Sequence, residues 1–303
     1  MLKRLLDTFI VLLGVTTLVF FLLALVPGDP VDVMLGENAV AADREVLRET
    51  LGLNKPILSR WWTYLSQVAV GDLGQSIVRP QSVTELIAQR LPTTLQLAIS
   101  AFAIILVLSI PLGMIAAEYK GKPADHFCSV LALLGISIPN FWLGPLLVLL
   151  FSISLGWLPV SGIESPASII LPALTLGLSL AAVTMRMLRS SLLEIFHQDY
   201  LRTARAKGLS PNQIRWRHAF PNALLPVVTL LGLQLGALLA GTVITEVVFA
   251  LPGIGSLLID AIRQRDYPVV QGVVLFIALS YVLINLMTDL VLQRIDPRIE
   301  VDA

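Results

Sequence analysis

Six stretches of this sequence run without a charged side chain for long enough to cross a lipid bilayer: Thr8–Gly28, Leu91–Ala117, Phe127–Ile163, Ser165–Met185, His218–Thr245 and Tyr267–Thr288. A helix rises about 1.5 Å per residue, so roughly 20 apolar residues match a hydrocarbon core of about 30 Å. Inside that core every backbone N–H and C=O must be paired within the chain, and a helix does this segment by segment. Only 14% of the residues are charged. That is too few to cover six buried helices with a polar surface, which a soluble protein would need. The sequence therefore reads as an all-α membrane protein with six transmembrane helices.

The third run is too long for one span and too short for two with a turn; its end, "LGWLPVSGI", reads as an interfacial exit with Trp157 at headgroup level. The first run follows Lys3 and Arg4 but exceeds a signal-peptide core, and Pro27 makes a poor cleavage site, so it reads as a retained span. The single cysteine, Cys128, cannot form an internal disulfide and reads as a small apolar filler. The formal net charge is zero, which gives no footprint for nucleic acid.

Charge sets an expected orientation. With six spans both termini share a side, together with residues 118–126 and 186–217. These segments hold most of the chain's 21 Lys and Arg, including Lys120, Lys122, Arg186, Arg189, Arg202, Arg205, Lys207, Arg215 and Arg217. The positive-inside rule puts them, and both termini, in the cytoplasm. The long segment 29–90 lies outside and looks folded. Asp43 and Gly52 bracket one short helix, and Pro56 and Gly71 a second. Trp61, Trp62 and Tyr64 suit either the membrane interface or packing within this loop, with packing favoured.

Between the fourth and fifth spans lies "DYLRTARAKGLSPNQIRWRHAFPNALLP". Asp199 is placed to cap a helix beginning at Tyr200. Arg205 and Lys207 suit the negative end of its dipole, and Gly208 suits a left-handed terminus. Ser210, Pro211 and Gln213 spell a capping box that opens a second helix, with Pro221 expected to close it near Ala219. So short a first helix is unstable alone and needs packing or a partner.

Several chemistries have no sequence support. There is no GxxxxGK[ST] loop for ATP, and no GxSxG, HExxH or Cys/His cluster for catalysis or metal. His126, His197 and His218 fall at span edges. Asp7, Glu246 and Asp289 lie toward span ends, where water or headgroups can reach them. That placement and the lack of an inverted repeat disfavour an ion-driven secondary transporter, the competing reading from another class. Prolines and glycines interrupt spans two to four. Ser137, Asn140, Gln234 and Asn285 are candidate pathway-lining groups, with interhelical hydrogen bonding an equal alternative. After the fifth span, Pro252, Gly253 and Gly255 make a turn before a short helix, 256–263, that carries Asp260.

The segment 199–221 resembles the cytoplasmic signature E-A-A-x3-G-x9-I-x-L-P of the membrane permeases of binding-protein-dependent ABC importers. Aligned on Gly208, the residues Ala204, Gly208 and Pro221 match, while Arg202, Thr203, His218 and Phe220 depart. "LVPGDP", "LGLNKP", "SIPNFWLG", "GWLP", "ILPALTLG" and "EVVFALPGIGSLLIDAIRQRDYPVVQG" follow in the order of the dipeptide/oligopeptide/nickel branch.

The resemblance implies an ABC importer type I permease-like fold. Residues 1–28 would form the N-terminus and first span, 29–90 a periplasmic or extracellular loop, 91–292 the five-span core and 293–303 a cytoplasmic tail. It implies that 199–221 is a coupling element touching an ATPase through Tyr200, Leu201, Arg202, Thr203, Ala204, Arg205, Ala206, Lys207 and Gly208, with Pro221 at its end. It places Pro252, Gly253, Gly255 and Asp260 on the outer face. The implied partners are a second homologous permease in a heterodimer, two ABC ATPases carrying ATP and Mg, a periplasmic or lipid-anchored solute-binding protein, membrane lipid and a peptide substrate. Glutathione and a nickel chelate are the alternative cargoes. The implied setting is a bacterial inner membrane, with no cofactor and no enzymatic activity in this chain.

Overall fold

The computed structural model describes residues 2–25, 31, 41–50 and 52–295. The "LVPGDP" motif beyond Leu25, the side chains of Asp7 and Asp43, and the tail with Arg298 lie outside the described residues. The described chain is helical: α1 Leu2–Leu25, α2 Ala41–Thr50, α3 Ile57–Ala69, α4 Val83–Glu118, α5 Pro123–Ser137, α6 Asn140–Leu147, α7 Ile170–Ile195, α8 Asp199–Ala206, α9 Phe220–Val248, α10 Ile254–Arg263 and α11 Tyr267–Ile295. Helices α1, α4, α7 and α11 and the segment Pro211–Leu238 are each long and apolar enough to span a membrane.

The third apolar run is the candidate sixth span, and its form corrects the expectation of one overlong span. It is a pair of helical arms, Pro123–Ser137 and Asn140–Ser154, bent by 107°. Pro139 supplies the reason. It lacks an N–H and drives the preceding residue out of the helical region, and Ile138 sits at φ −89°, ψ 118°. The second arm passes from α6 into a π-helical stretch, Val148–Ser154.

The chain forms two compact units. The first comprises Met1–Thr93 and Pro252–Val282. Its core joins Val83, Leu86 and Ile87 of α4 to Leu257 of α10 and Val270 and Val273 of α11. In this unit Asp266 is buried and accepts hydrogen bonds from the Ser76 hydroxyl and, at 3.1 Å, from the Ile77 N–H. Helix α3 packs on α1: Tyr64 stacks on Phe20 at 5.8 Å, and the Trp61 indole donates to Thr17 Oγ1 at 3.3 Å. Burial pushes the Tyr64 phenol up to about 12. Packing thus claims Trp61 and Tyr64, while Trp62 is 67% exposed. Gly52 and Gly71 take the left-handed conformation at φ +65° and +83°. Asp43 falls inside α2 rather than ahead of it, and Pro56 is the residue before α3 rather than in its first turn.

The second unit comprises Thr94–Leu251 and Leu283–Asp302. Its core is built from α4, α7 and α9, through residues such as Leu97, Ile105, Leu176, Leu188, Leu192 and Val227. Polar pairs are buried among them. Thr184 Oγ1 donates to Gln234 Oε1 at 2.9 Å, and Gln234 Nε2 donates to the Leu180 carbonyl at 3.2 Å. Thr94 Oγ1 donates to Glu246 Oε1 at 2.6 Å, and Glu246 is 0% exposed. The expectation that Glu246 meets water or headgroups is therefore corrected, because the hydroxyl of Thr94 meets it instead.

Candidate functional site

Helix α8 and the turn after it stand between α7 and α9 in the second unit. Its start differs from the expectation. Gln198, not Asp199, precedes the helix, and no side chain caps it. Asp199 lies in the first turn, where a carboxylate suits the positive end of the dipole, and its side chain pairs with Arg202 at 3.6 Å across exposed surface. At the other end Gly208 sits at φ +81°. The Gly208 N–H reaches the Arg205 carbonyl at 3.0 Å, and the Leu209 N–H reaches the Ala204 carbonyl at 3.3 Å, which together seal the helix. The capping box follows as expected. Gln213 N donates to Ser210 Oγ at 3.3 Å and Ser210 N donates to Gln213 Oε1 at 3.0 Å.

Pro221 does not close the second helix. The turn Pro211–Gln213 widens into a π-helical stretch, Ile214–Ala219, and runs straight into α9. The wider register shifts the carbonyl that would clash with the proline ring. Pro221 then occupies the opening positions of α9, where a missing N–H is tolerated. The element is thus one capped helix joined by a glycine turn to the start of a membrane helix.

Its faces separate cleanly. Leu201 is 0% exposed and Ala204 7%, and both belong to the core shared with Leu188 and Leu192 of α7. Spaced by three residues, they form the inward stripe of an amphipathic helix. Their side chains are therefore not available to a partner, contrary to the expectation that they touch one. Tyr200, Arg202, Thr203, Arg205, Ala206, Lys207 and Gly208 are exposed. The Tyr200 hydroxyl donates to the His218 carbonyl at 3.4 Å and accepts from Asn222 Nδ2 at 3.2 Å, tying α8 to the start of α9. Truncating Leu201→Ala removes a fully buried side chain, at a cost of about 2–4 kcal/mol. We expect faster amide exchange across residues 199–208 in that variant, read by hydrogen–deuterium exchange; unchanged protection would show that the helix is held some other way.

The other candidate residues are dispersed. Asn140 accepts from Ser179 Oγ at 3.1 Å and Gln234 is 5% exposed, so both join helices of the second unit. Ser137 is exposed and Asn285 half-buried. In the first unit Gly253 and Gly255 are buried, Pro252 and Asp260 half-buried, and Ser256 Oγ accepts from the Gly253 N–H at 3.0 Å. Among the described residues no cluster of three or more His, Cys, Asp or Glu could hold a metal ion.

Two ion pairs were not expected from the sequence. Arg189 of α7 forks onto Asp125 of α5, with Nε to Oδ1 at 2.7 Å and Nη2 to Oδ2 at 2.8 Å. Arg215 of the π-helical stretch binds Glu118 at the end of α4. Both join residues far apart in the chain, and no local pattern announces them.

Comparison with known proteins fits this architecture. The family described as binding-protein-dependent transport system inner membrane component matches residues 109–301, and its N-terminal membrane component matches residues 1–98. The glutathione transport system permease protein GsiC of Pectobacterium atrosepticum is 42% identical over 297 residues, which cover 98% of this chain and 97% of that one. Its counterpart in Salmonella paratyphi A is 43% identical over 298 residues, with the same coverage of 98% and 97%. Among solved structures, an inward-facing MetNI methionine ABC transporter aligns with a TM-score of 0.59 at 20% identity, covering 69% of this chain and 96% of that one. An amino acid ABC transporter aligns at 0.53 and 17% identity, covering 71% and 94%. A six-helix membrane architecture, a capped helix between the fourth and fifth spans, and two family matches that together cover nearly the whole length converge: the chain belongs to the binding-protein-dependent transport system inner membrane components, as an ABC importer permease of the dipeptide/oligopeptide/nickel branch.

Proposed function

We propose that this chain is one of two homologous permease subunits that together carry di- or oligopeptides inward. ATP and Mg act in two partner ATPases, and a solute-binding protein delivers the cargo from outside. Both termini and the Asp199–Pro221 element face the cytoplasm. ATP-driven closure of the ATPases pushes on the exposed face of α8, and the joined helices α7 and α9 reorient the pathway outward. The single observation that carries this reading is α8 itself. It is sealed at its C-terminal end by Gly208, anchored inward by Leu201 and Ala204, and solvent-facing through Tyr200, Arg202, Thr203, Arg205, Ala206 and Lys207. A rigid helix with one face anchored and one face free is what a mechanical contact requires.

Glutathione, a tripeptide, is the cargo to test first, because relatives that align along almost the whole chain are glutathione permeases. The importer should be reconstituted in proteoliposomes with its ATPases and binding protein, and offered labelled glutathione, a dipeptide and a nickel chelate. We expect ATP-dependent uptake of glutathione or the dipeptide. Uptake of the nickel chelate alone would redirect the substrate reading. Uptake without ATP, driven by an ion gradient, would overturn the importer reading itself.

A further inference from the structure

Most cations around the candidate coupling element stand in solvent. Lys120, Lys122, Arg186, Arg205, Lys207 and Arg217 are exposed and have no carboxylate partner among the described residues. A rule that merely keeps positive charge on one side of a membrane asks no more of them. Arg189 and Arg215 behave differently. Each holds a carboxylate, and the two carboxylates belong to one hairpin: Glu118 ends α4, Asp125 lies in the first turn of α5, and residues 119–122 join them. The two cations flank α8, Arg189 before it on α7 and Arg215 after it on the π-helical stretch within the coupling element.

The geometry at Asp125 is that of a fitted site. Its side chain is 4% exposed, both oxygens take the guanidinium fork, and the Gly121 N–H adds a bond at 2.9 Å. A bidentate fork fixes distance and direction together, which a lysine could not do. A half-buried pair of this kind is weak evidence for stability, but the fork does hold its two helices in one defined arrangement.

We propose that Glu118, Asp125, Arg189 and Arg215 form a clamp. It makes the α4–α5 hairpin and the Asp199–Pro221 element move as one body, so that motion received at α8 reaches the bent third span. These are positioning residues that touch no substrate, and the proposal rests on the coupling reading above.

The test uses the full importer. Spin labels at Lys120→Cys and Asn212→Cys, both on exposed positions, report the hairpin-to-element distance with and without trapped ATP. A Thr203→Cys cross-link reports contact with the ATPase. We expect the same narrow distance in both nucleotide states. In the Glu118→Gln, Asp125→Asn double variant we expect a broadened distance and uptake lower by roughly tenfold, a typical size for a lost coupling, with the Thr203 cross-link retained. The exchanged pair Glu118→Arg, Arg215→Glu should recover uptake relative to Glu118→Arg alone, which a general loss of folding would not do. A wild-type distance that changes with nucleotide, or a double variant with unaltered distance and uptake, overturns the clamp while the cross-link keeps the coupling reading. Absence of the cross-link in the complex that carries Thr203→Cys without the clamp substitutions overturns both.

Discussion

Gly208→Pro is expected to reduce uptake to background while the chain stays in the membrane. The residue sits at φ +81°, and proline is fixed near −65°. Proline also removes the N–H that reaches the Arg205 carbonyl at 3.0 Å. Both losses fall on the turn that seals α8 and aims it. Proline at a position whose backbone it cannot adopt and whose N–H is bonded destabilises by more than about 1 kcal/mol, and here it also removes the geometry that aims α8. The comparison is Gly208→Ala. A Cβ there meets no neighbour within 4 Å. Only the left-handed backbone is strained, by about 1–2 kcal/mol, so uptake should fall modestly. Membrane content by immunoblot and uptake in the same vesicles separate the two effects. Normal uptake by Gly208→Pro would remove α8 from the transport mechanism.

Gly232→Leu should lower the amount of folded permease by roughly an order of magnitude. A Cβ built on Gly232 falls inside the side chain of Thr288, so the bare backbone of α9 lies against that side chain of α11. Small residues allow such approach between membrane helices, where lipid offers no hydrophobic drive for association. Overpacking costs about 1–3 kcal/mol even where neighbours yield. Thr288 has little room to yield, since its hydroxyl is bonded to the Ile284 carbonyl at 2.8 Å. Adding Thr288→Gly to Gly232→Leu should restore part of the yield. The readout is the monodisperse fraction in mild detergent and its melting temperature. Wild-type behaviour of Gly232→Leu alone would mean that the two helices do not meet at this point.

Legibility in the sequence followed the range of each interaction. The apolar runs, the left-handed Gly208 and the Ser210–Gln213 box are local, and each was readable from a few neighbouring letters. The helix opening at Ile254 was readable to within two residues for the same reason. The failures are non-local or two-valued. Proline opens a helix as readily as it ends one, and nothing short of the π turn at 214–219 reveals which role Pro221 plays. Pro139 announces a break but not an angle of 107°. Leu201 and Ala204 carried a usable signal, the three-residue spacing of an apolar stripe, which would have separated the anchored face of α8 from its free one. Asp125 with Arg189 and Glu118 with Arg215 offered none, since their partners lie on other helices.

The pairing of Glu246 with Thr94 also bears on how the chain is made. A carboxylate with no exposed surface, near the end of a membrane helix, is costly to insert unless a partner waits for it. Thr94 belongs to α4 and Glu246 to α9, so ribosomal synthesis delivers the hydroxyl before the acid. The order of emergence gives the late helix a ready-made donor, the Thr94 hydroxyl. A permuted gene that released α9 first would insert the same acid before the Thr94 hydroxyl is in place, and the translocon, rather than the finished fold, would be where that chain stalls.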